Sequence, residues 1–219
     1  MNPPAVRRFP WTVGIGVLLL ILALSLAFLL AQAQSRSPRQ QPLPILLPVA
    51  DFSLTNQNGN AVSLADLRGK VWVADIIFTR CPGPCLRMTH QMKELQDAFP
   101  KDSSTRLVSL TTDSDYDTPE VLKTYAVKNG ADASRWMFLT GDKKNVNHLA
   151  VDSLKLSAVE KKPEERVTPE DLWVHSTIFV VVDKHAQLRG VFQTGGDDVS
   201  WPEEKSKLLA AVKQLEREP

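Results

Sequence analysis

The feature that most constrains the fold is an apolar run that is followed closely by a pair of cysteines. Val71 to Phe78 is nearly continuously apolar and rich in β-branched residues, which predicts a strand buried on both faces. Cys81 and Cys85 come after it, and apolar residues then recur at helical spacing: Met88, Met92, Leu95 and Phe99. The pattern predicts a buried strand, a short loop and a helix, with Cys85 at the N-terminus of the helix.

Strand and helix patterns alternate through the rest of the domain. A hairpin is predicted around Asn58-Gly59, because this dipeptide favours the positive φ angles of a tight turn. The other predicted elements are strands at Leu107–Leu110 and Met137–Thr140, a helix opening at Asp117, a weak helix at Val146–Leu156, a polar loop at Glu160–Asp171, a hairpin of Ile178–Val182 and Leu188–Phe192, and a last helix after Ser200. This order predicts an α/β fold of the thioredoxin-like type.

The N-terminal part of the chain carries a membrane signal. Val13 to Ala31 is a run of 19 residues whose only polar side chain is Ser25, which is roughly enough to cross a bilayer as a helix. Arg7 and Arg8 precede it, and this pattern keeps the tail in the cytoplasm and exports the rest of the chain. A cleaved signal peptide is the alternative, since Ala31-Gln32-Ala33 resembles a cleavage site. We favour an uncleaved anchor, because the run exceeds the usual apolar core of a signal peptide.

These observations divide the chain into four segments. We expect a cytoplasmic tail at residues 1–12, a transmembrane anchor at 13–31, a tether rich in Pro and Gln at 32–48, and a thioredoxin-like domain at 49–219. The domain is then periplasmic, or otherwise on the extracytoplasmic face of the inner membrane. The formal net charge of +1 gives no reason to expect nucleic acid as a partner.

The two cysteines point to chemistry rather than to a structural bridge. Cys81 and Cys85 are the only cysteines in the chain, and a disulfide that closes so small a loop would constrain the unfolded chain little. Side chains four residues apart on a helical turn lie on one face, so the pair can bind one metal ion or oxidise to a redox disulfide. The helix terminus stabilises a thiolate, which both reactions require.

A histidine near the second hairpin is the best candidate for a third ligand. His175 precedes the strand Ile178–Val182, whose entrance lies beside the cysteine loop in a thioredoxin-like topology. His90, His148 and His185 are expected to be solvent-exposed. Two thiolates and an imidazole form a soft ligand set that suits Cu(I) and, with a further ligand, Cu(II). Zinc would accept the same atoms, but no fourth side chain is evident for a structural zinc site.

Two other motifs receive structural interpretations. Asp113, Asp115 and Asp117 resemble the opening of a calcium-binding loop, but the Gly and Glu that this motif requires are missing further along. We therefore expect Asp117 to cap the next helix in a solvated turn. Met88 and Met92 are soft donors, yet their helical spacing favours core packing over copper binding.

Three stretches together resemble the Sco (SenC) family: Phe78 to Cys85, Asp113 to Pro119, and Val174 to Thr177. The resemblance covers roughly Phe52 to Leu215. It implies that Cys81, Cys85 and His175 are copper ligands. It also implies a role in assembling the dinuclear copper site of cytochrome c oxidase, with the copper-bearing subunit as the acceptor, by metal delivery, by thiol reduction or by both.

The sequence departs from the family pattern in two places, and it leaves alternatives open. Leu86 stands where a proline is common, and Ser114 where the family usually has another proline, which affects the neighbouring loop more than the ligands. The main alternative is a thiol-disulfide oxidoreductase acting on an exported partner; such proteins usually have two residues between their cysteines. A peroxidase of the same fold and a plain structural domain are further alternatives. We expect a metallochaperone rather than an enzyme.

Overall fold

The computed structural model describes residues 11–35, 41–168 and 171–219. The chain divides into two compact units, Met1–Pro42 and Leu43–Pro219. The expected tail lies almost wholly outside the described residues, as do Arg7, Arg8 and part of the expected tether.

The N-terminal unit contains one long helix, α1 (Trp11–Ser35). Its described leucine and isoleucine side chains are exposed by about half or more. Among the residues described in full, no helix reaches the length and apolarity that crossing a membrane requires. The anchor at 13–31 therefore stays a prediction. The helix continues to Ser35, four residues into the segment expected to be tether.

The second unit is an α/β domain with two sheets. Its helices are α2 (Leu64–Leu67), α3 (Pro84–Ala98), α4 (Pro119–Lys128), α5 (Lys143–Asn147) and α6 (Trp201–Arg217). Its strands are β1 (Leu47–Pro48), β2 (Ser53–Asn56), β3 (Ala61–Ser63), β4 (Trp72–Ile77), β5 (Arg106–Thr111), β6 (Trp136–Thr140), β7 (Ala158–Glu160), β8 (Trp173–His175), β9 (Ile178–Val182) and β10 (Gln187–Gln193). A π-helical turn, His148–Ser153, extends α5. The predicted thioredoxin-like α/β architecture is confirmed.

The main sheet has eight strands in the order β1-β10-β9-β4-β5-β6-β2-β3. Strands β4, β5 and β6 run parallel, and Trp72 is paired with Arg106 in the first of these ladders. Strand β9 joins β4 in antiparallel register, with Trp72 opposite Val182. The carboxyl end of β4, where the cysteine loop begins, therefore lies near the centre of the sheet.

Both faces of the sheet are covered, as the apolar run in β4 predicts. Trp72, Ala74 and Ile76 face a cluster that includes side chains of α2 and α5. Val73 and Ile77 face a second cluster, formed with α3, α4 and α6. Because successive side chains on a strand point to opposite faces, β4 contributes to both cores.

The folded domain begins earlier than Val49, the residue expected from the sequence. Leu47 pairs with Leu188 in β1–β10, and the buried Arg189 donates hydrogen bonds to the carbonyls of Leu43 and Pro44. The same guanidinium is 2.6 Å from Asp183. These contacts join residues that are about 145 positions apart, so the composition of the segment gave no sign of them.

Candidate functional site

The loop between β4 and α3 places both cysteines at one end of the domain. Cys85 is the second residue of α3, which has Pro84 at its start, and it is 1 % exposed. Cys81 precedes the helix and is half-buried. Both are reduced thiols in the structure. The predicted position of Cys85 at a helix N-terminus is confirmed.

His175 reaches the cysteines from the small second sheet. It is the last residue of β8, where it pairs with Ala158 of β7. Its Nε2 lies 3.0 Å from Cys85 Sγ, and its Nδ1 lies 3.1 Å from the carbonyl oxygen of Ser176. Since a carbonyl only accepts hydrogen bonds, Nδ1 carries a proton, and Nε2 is the ring nitrogen that faces the sulfur of Cys85.

The hydrogen bonds around the two thiols make them chemically unequal. The hydrogen bond from Cys85 lowers the pKa of Cys81, with smaller contributions from His175 and from the backbone amides of Cys85 and Gly83. Burial raises the pKa of Cys85, and its hydrogen bond to Cys81 acts in the same direction. Cys81 is therefore the thiolate of the pair, and Cys85 keeps its proton.

The three side chains form a compact donor set. The sulfurs of Cys81 and Cys85 and a ring nitrogen of His175 all lie within 4.8 Å of one another. Elsewhere in the described ranges, no other group of three or more His, Cys, Asp or Glu side chains has this arrangement. Two sulfurs and one nitrogen fit the preferences of copper, whereas a structural zinc ion would require a fourth ligand.

An Asp-based network holds the residues that precede Cys81. The buried Asp117 accepts hydrogen bonds from the Thr79 amide and from the hydroxyls of Thr79 and Thr111. The expectation that Asp117 caps α4 in a solvated turn is wrong, because Thr118 occupies the N-cap position and accepts from the Val121 amide. A solvated aspartate and a buried one give the same local pattern, so the sequence did not separate them.

A second contact fixes Arg80, the residue immediately before Cys81. Its guanidinium lies 2.6 Å from Asp113 and stacks 3.9 Å from the centre of the Tyr116 ring. Sequence reasoning missed this role of Arg80 and Tyr116, although it considered Asp113 as part of a motif that resembles a calcium-binding loop. The segment before the first cysteine is thus held on both sides by the loop after β5.

A cavity of about 240 Å³ opens beside Cys81. Pro82, Pro84, Trp173 and His175 are among the residues that line it. An ion pair between Lys161 and Asp171, 2.7 Å apart, contributes to the wall. A partner side chain can therefore approach the cysteine from the same opening that His175 borders.

The remaining candidates from the sequence lie where they were expected. His90, His148 and His185 are exposed, and His148 pairs with Asp152 on its own helical segment. Met88 and Met92 are fully buried in the cluster beneath α3. Core packing is therefore confirmed for both methionines.

Comparisons with known proteins agree with the geometry. The SCO1/SenC family model matches residues 46–209. The SCO1 protein homolog of Bacillus subtilis is 35% identical over 162 residues, which cover 71% of this chain and 81% of the relative.

Solved structures give the same result. BsSco, a member of the Sco family of cytochrome c oxidase assembly proteins, is 26% identical; the match has a TM-score of 0.64 and covers 82% of this chain and 100% of BsSco. ScoI of Bradyrhizobium japonicum with copper bound shares the fold at 21% identity. The match has a TM-score of 0.61 and covers 75% of this chain and 99% of ScoI. The chain therefore belongs to the SCO1/SenC family.

Proposed function

We propose that this protein binds copper through Cys81, Cys85 and His175 and serves the assembly of the dinuclear copper site of cytochrome c oxidase. The observation that carries the proposal is the set of two sulfurs and one imidazole nitrogen within 4.8 Å. Family membership and the copper-bound relative support the choice of metal, and the description of BsSco supports oxidase assembly.

Each ligand has a distinct part in the proposal. Cys81 supplies a ready thiolate, while Cys85 has to release its proton before both sulfurs can bind the ion. The Ser176 carbonyl orients the His175 ring so that Nε2 faces the sulfurs. Thiolates hold Cu(I) strongly, and the imidazole adds the nitrogen that Cu(II) prefers.

His175 is the ligand that can leave. It ends β8, which belongs to a two-stranded sheet separate from the main one, and an isolated two-stranded sheet is only marginally stable. Cys81 sits on a loop that contains Pro82, and Cys85 lies in the first turn of α3, which Pro84 begins; proline restricts the backbone at both places. Copper could stay with the two sulfurs while His175 moves away, which leaves a position for a ligand of the acceptor.

The acceptor and the location complete the proposal. The copper-bearing subunit of cytochrome c oxidase is the acceptor that oxidase assembly implies. The apolar run at 13–31, which lies within α1, would anchor the domain on the extracytoplasmic face of a membrane. Oxidation of Cys81 and Cys85 to a disulfide would remove the thiolates and so control copper loading.

A copper titration of the reduced full-length chain tests the proposal. We expect one copper per chain, a sulfur-to-copper charge-transfer band in the Cu(II) form, and loss of tight binding in Cys81→Ala and Cys85→Ala. His175→Ala should alter the Cu(II) spectrum, and His90→Ala is its matched control, because His90 is an exposed histidine on α3. Stoichiometric tight binding that survives loss of either cysteine would overturn the assignment.

One observation favours a second function, thiol-disulfide exchange with an exported partner. The pair consists of a half-buried Cys81 with a lowered pKa and a buried, protonated Cys85. This asymmetry suits an attacking thiolate and a resolving thiol. Reduction of a disulfide in a peptide from the acceptor subunit, without copper, would demonstrate this function, and absence of any reduction would exclude it for that target.

A further inference from the structure

Phe78, the residue that follows the last residue of β4, contacts all three members of the donor set. It is 1 % exposed. Its contacts with Cys81 and Cys85 use the backbone, whereas its contact with His175 uses the ring. The role of the side chain can therefore be separated from the role of the main chain.

The backbone of Phe78 holds the two cysteines. Its carbonyl oxygen accepts a hydrogen bond of 3.2 Å from the amide of Cys81, which closes a β-turn at the start of the loop. Its amide donates to the sulfur of Cys85, an interaction that partly offsets the effect of burial on the pKa of that thiol. Because both contacts come from the main chain, a change of the side chain leaves them in place as long as the fold is kept.

The ring of Phe78 packs against the imidazole of His175. The two ring centroids are 6.0 Å apart and the ring planes meet at 87°, which is the edge-to-face arrangement that aromatic pairs prefer. The Ser176 carbonyl holds the same imidazole at Nδ1. A ring held by one hydrogen bond can still tilt about that bond, so the contact with Phe78 supplies a second, independent restraint.

The position of Phe78 differs from that of the other buried aromatic residues. It belongs to the core cluster beneath α3 and also lines the cavity beside Cys81. None of the other aromatic pairs found in the described ranges includes a member of the donor set. The contact with His175 therefore connects the core directly to the site.

We propose that Phe78 is a positioning residue of the site, whose ring keeps the imidazole of His175 directed at the two sulfurs. For the metal-free protein this follows from the contacts alone, and its consequence for copper rests on the proposed function. Thiolates bind Cu(I) without help from the ring, so Phe78 matters most for Cu(II), which prefers the nitrogen ligand. The proposed departure of His175 would also have to break this aromatic contact.

NMR of the reduced, metal-free full-length chain with labelled histidine tests the position of His175 directly. The chain has four histidines, and His175→Ala identifies the signals of this ring. The wild type should show a nuclear Overhauser effect between the ring and the β protons of Cys85, since Nε2 lies 3.0 Å from Sγ. We expect Phe78→Leu to weaken this effect and Phe78→Tyr, which keeps an aromatic ring, to retain it.

Copper competition provides the second measurement. An edge-to-face pair contributes a factor of about 2 to 10 to an equilibrium constant beyond the area that it buries. Phe78→Leu should lose a factor of that size in Cu(II) affinity. Its Cu(I) affinity should stay nearly unchanged, because both thiolates and the backbone contacts remain. General damage to the fold would instead weaken the binding of both ions.

Phe179→Leu is the matched control. Phe179 is 0 % exposed in the same core cluster, and its edge-to-face partner at 5.6 Å is Trp201 rather than a ligand. This variant loses the same atoms from the core, yet the Overhauser effect and the Cu(II) affinity should keep their wild-type values. Circular dichroism melts confirm that each variant is folded, and Phe78→Ile takes the place of Phe78→Leu if the latter does not fold.

The Overhauser measurement decides the inference separately from the proposed function. A folded Phe78→Leu variant that keeps the wild-type Overhauser effect would overturn the positioning role, and so would an equal loss of the effect in Phe179→Leu. A wild type that binds no copper would overturn the proposed function instead, and the metal-free comparison would still report whether Phe78 positions His175.

Discussion

Replacing Asp75 by Asn should stabilise the reduced, metal-free protein, and the gain should depend on pH. Asparagine is nearly the same size but never carries a charge, so the substitution removes the cost of ionising a carboxyl that is buried on β4. The side chain is 0 % exposed, which means that solvent does little to reduce this cost. The prediction concerns the stability of the folded protein alone, and it is tested in the absence of metal.

The magnitude comes from the difference between the two pKa values. Burial raises the pKa of Asp75 from 3.8 to about 7, a difference of roughly three units, and each unit corresponds to about 1.36 kcal/mol. Below pH 3.8 the acid is protonated in both states and adds no penalty. Between about pH 4 and 7 the unfolded chain loses the proton while the folded chain keeps it, so wild-type stability falls by about 4 kcal/mol in total.

Urea unfolding of both proteins at pH 4.5 and pH 8 tests this reasoning. Any cost of burying the neutral amide of Asn is constant with pH, so the diagnostic quantity is the change with pH in the stability difference between the two proteins. A stability difference that stays constant from pH 4.5 to pH 8 would show that Asp75 has an ordinary pKa and would refute the argument.

Three further outcomes are expected at the site. His175→Ala should alter the Cu(II) spectrum more than the Cu(I) competition constant, because both thiolates remain; an unchanged Cu(II) spectrum would show that His175 is not a ligand. Oxidised protein should not take up copper, and retention of the same charge-transfer spectrum would reject control by the disulfide. Iodoacetamide at pH 6 should alkylate Cys81 and spare Cys85, because the pKa of Cys81 is lowered and Cys85 is buried; mass spectrometry of the peptides would show equal labelling if the asymmetry were absent.

Local patterns were enough to predict the centre of the fold. The apolar run before the cysteines became β4, and the spacing of Met88, Met92 and Leu95 became the buried face of α3. The Asn58-Gly59 turn became the β2–β3 hairpin. In each case one element carries the whole signal, namely the period of its apolar residues or the chemistry of its turn.

The sequence did not show which polar residues would be buried together. Asp117 contacts Thr79, 38 positions away, and Asp75 lies in a run that is otherwise apolar. The polar segment Glu160–Asp171 was expected to be a loop, but the sequence did not show that the strands on its two sides, β7 and β8, pair as a second sheet. These arrangements depend on contacts between distant segments, and only the assembled sheet brings such segments together.

The attachment of Leu43 to Arg189 sets where the domain can be cut. Arg189 is 6 % exposed, and its guanidinium uses the Leu43 and Pro44 carbonyls as acceptors. A fragment that started at Val49 would lose these acceptors and the β1 strand, leaving part of a buried cation without hydrogen bonds. A stable soluble fragment should therefore start before Leu43, and residues that look like linker by composition form part of the folded unit.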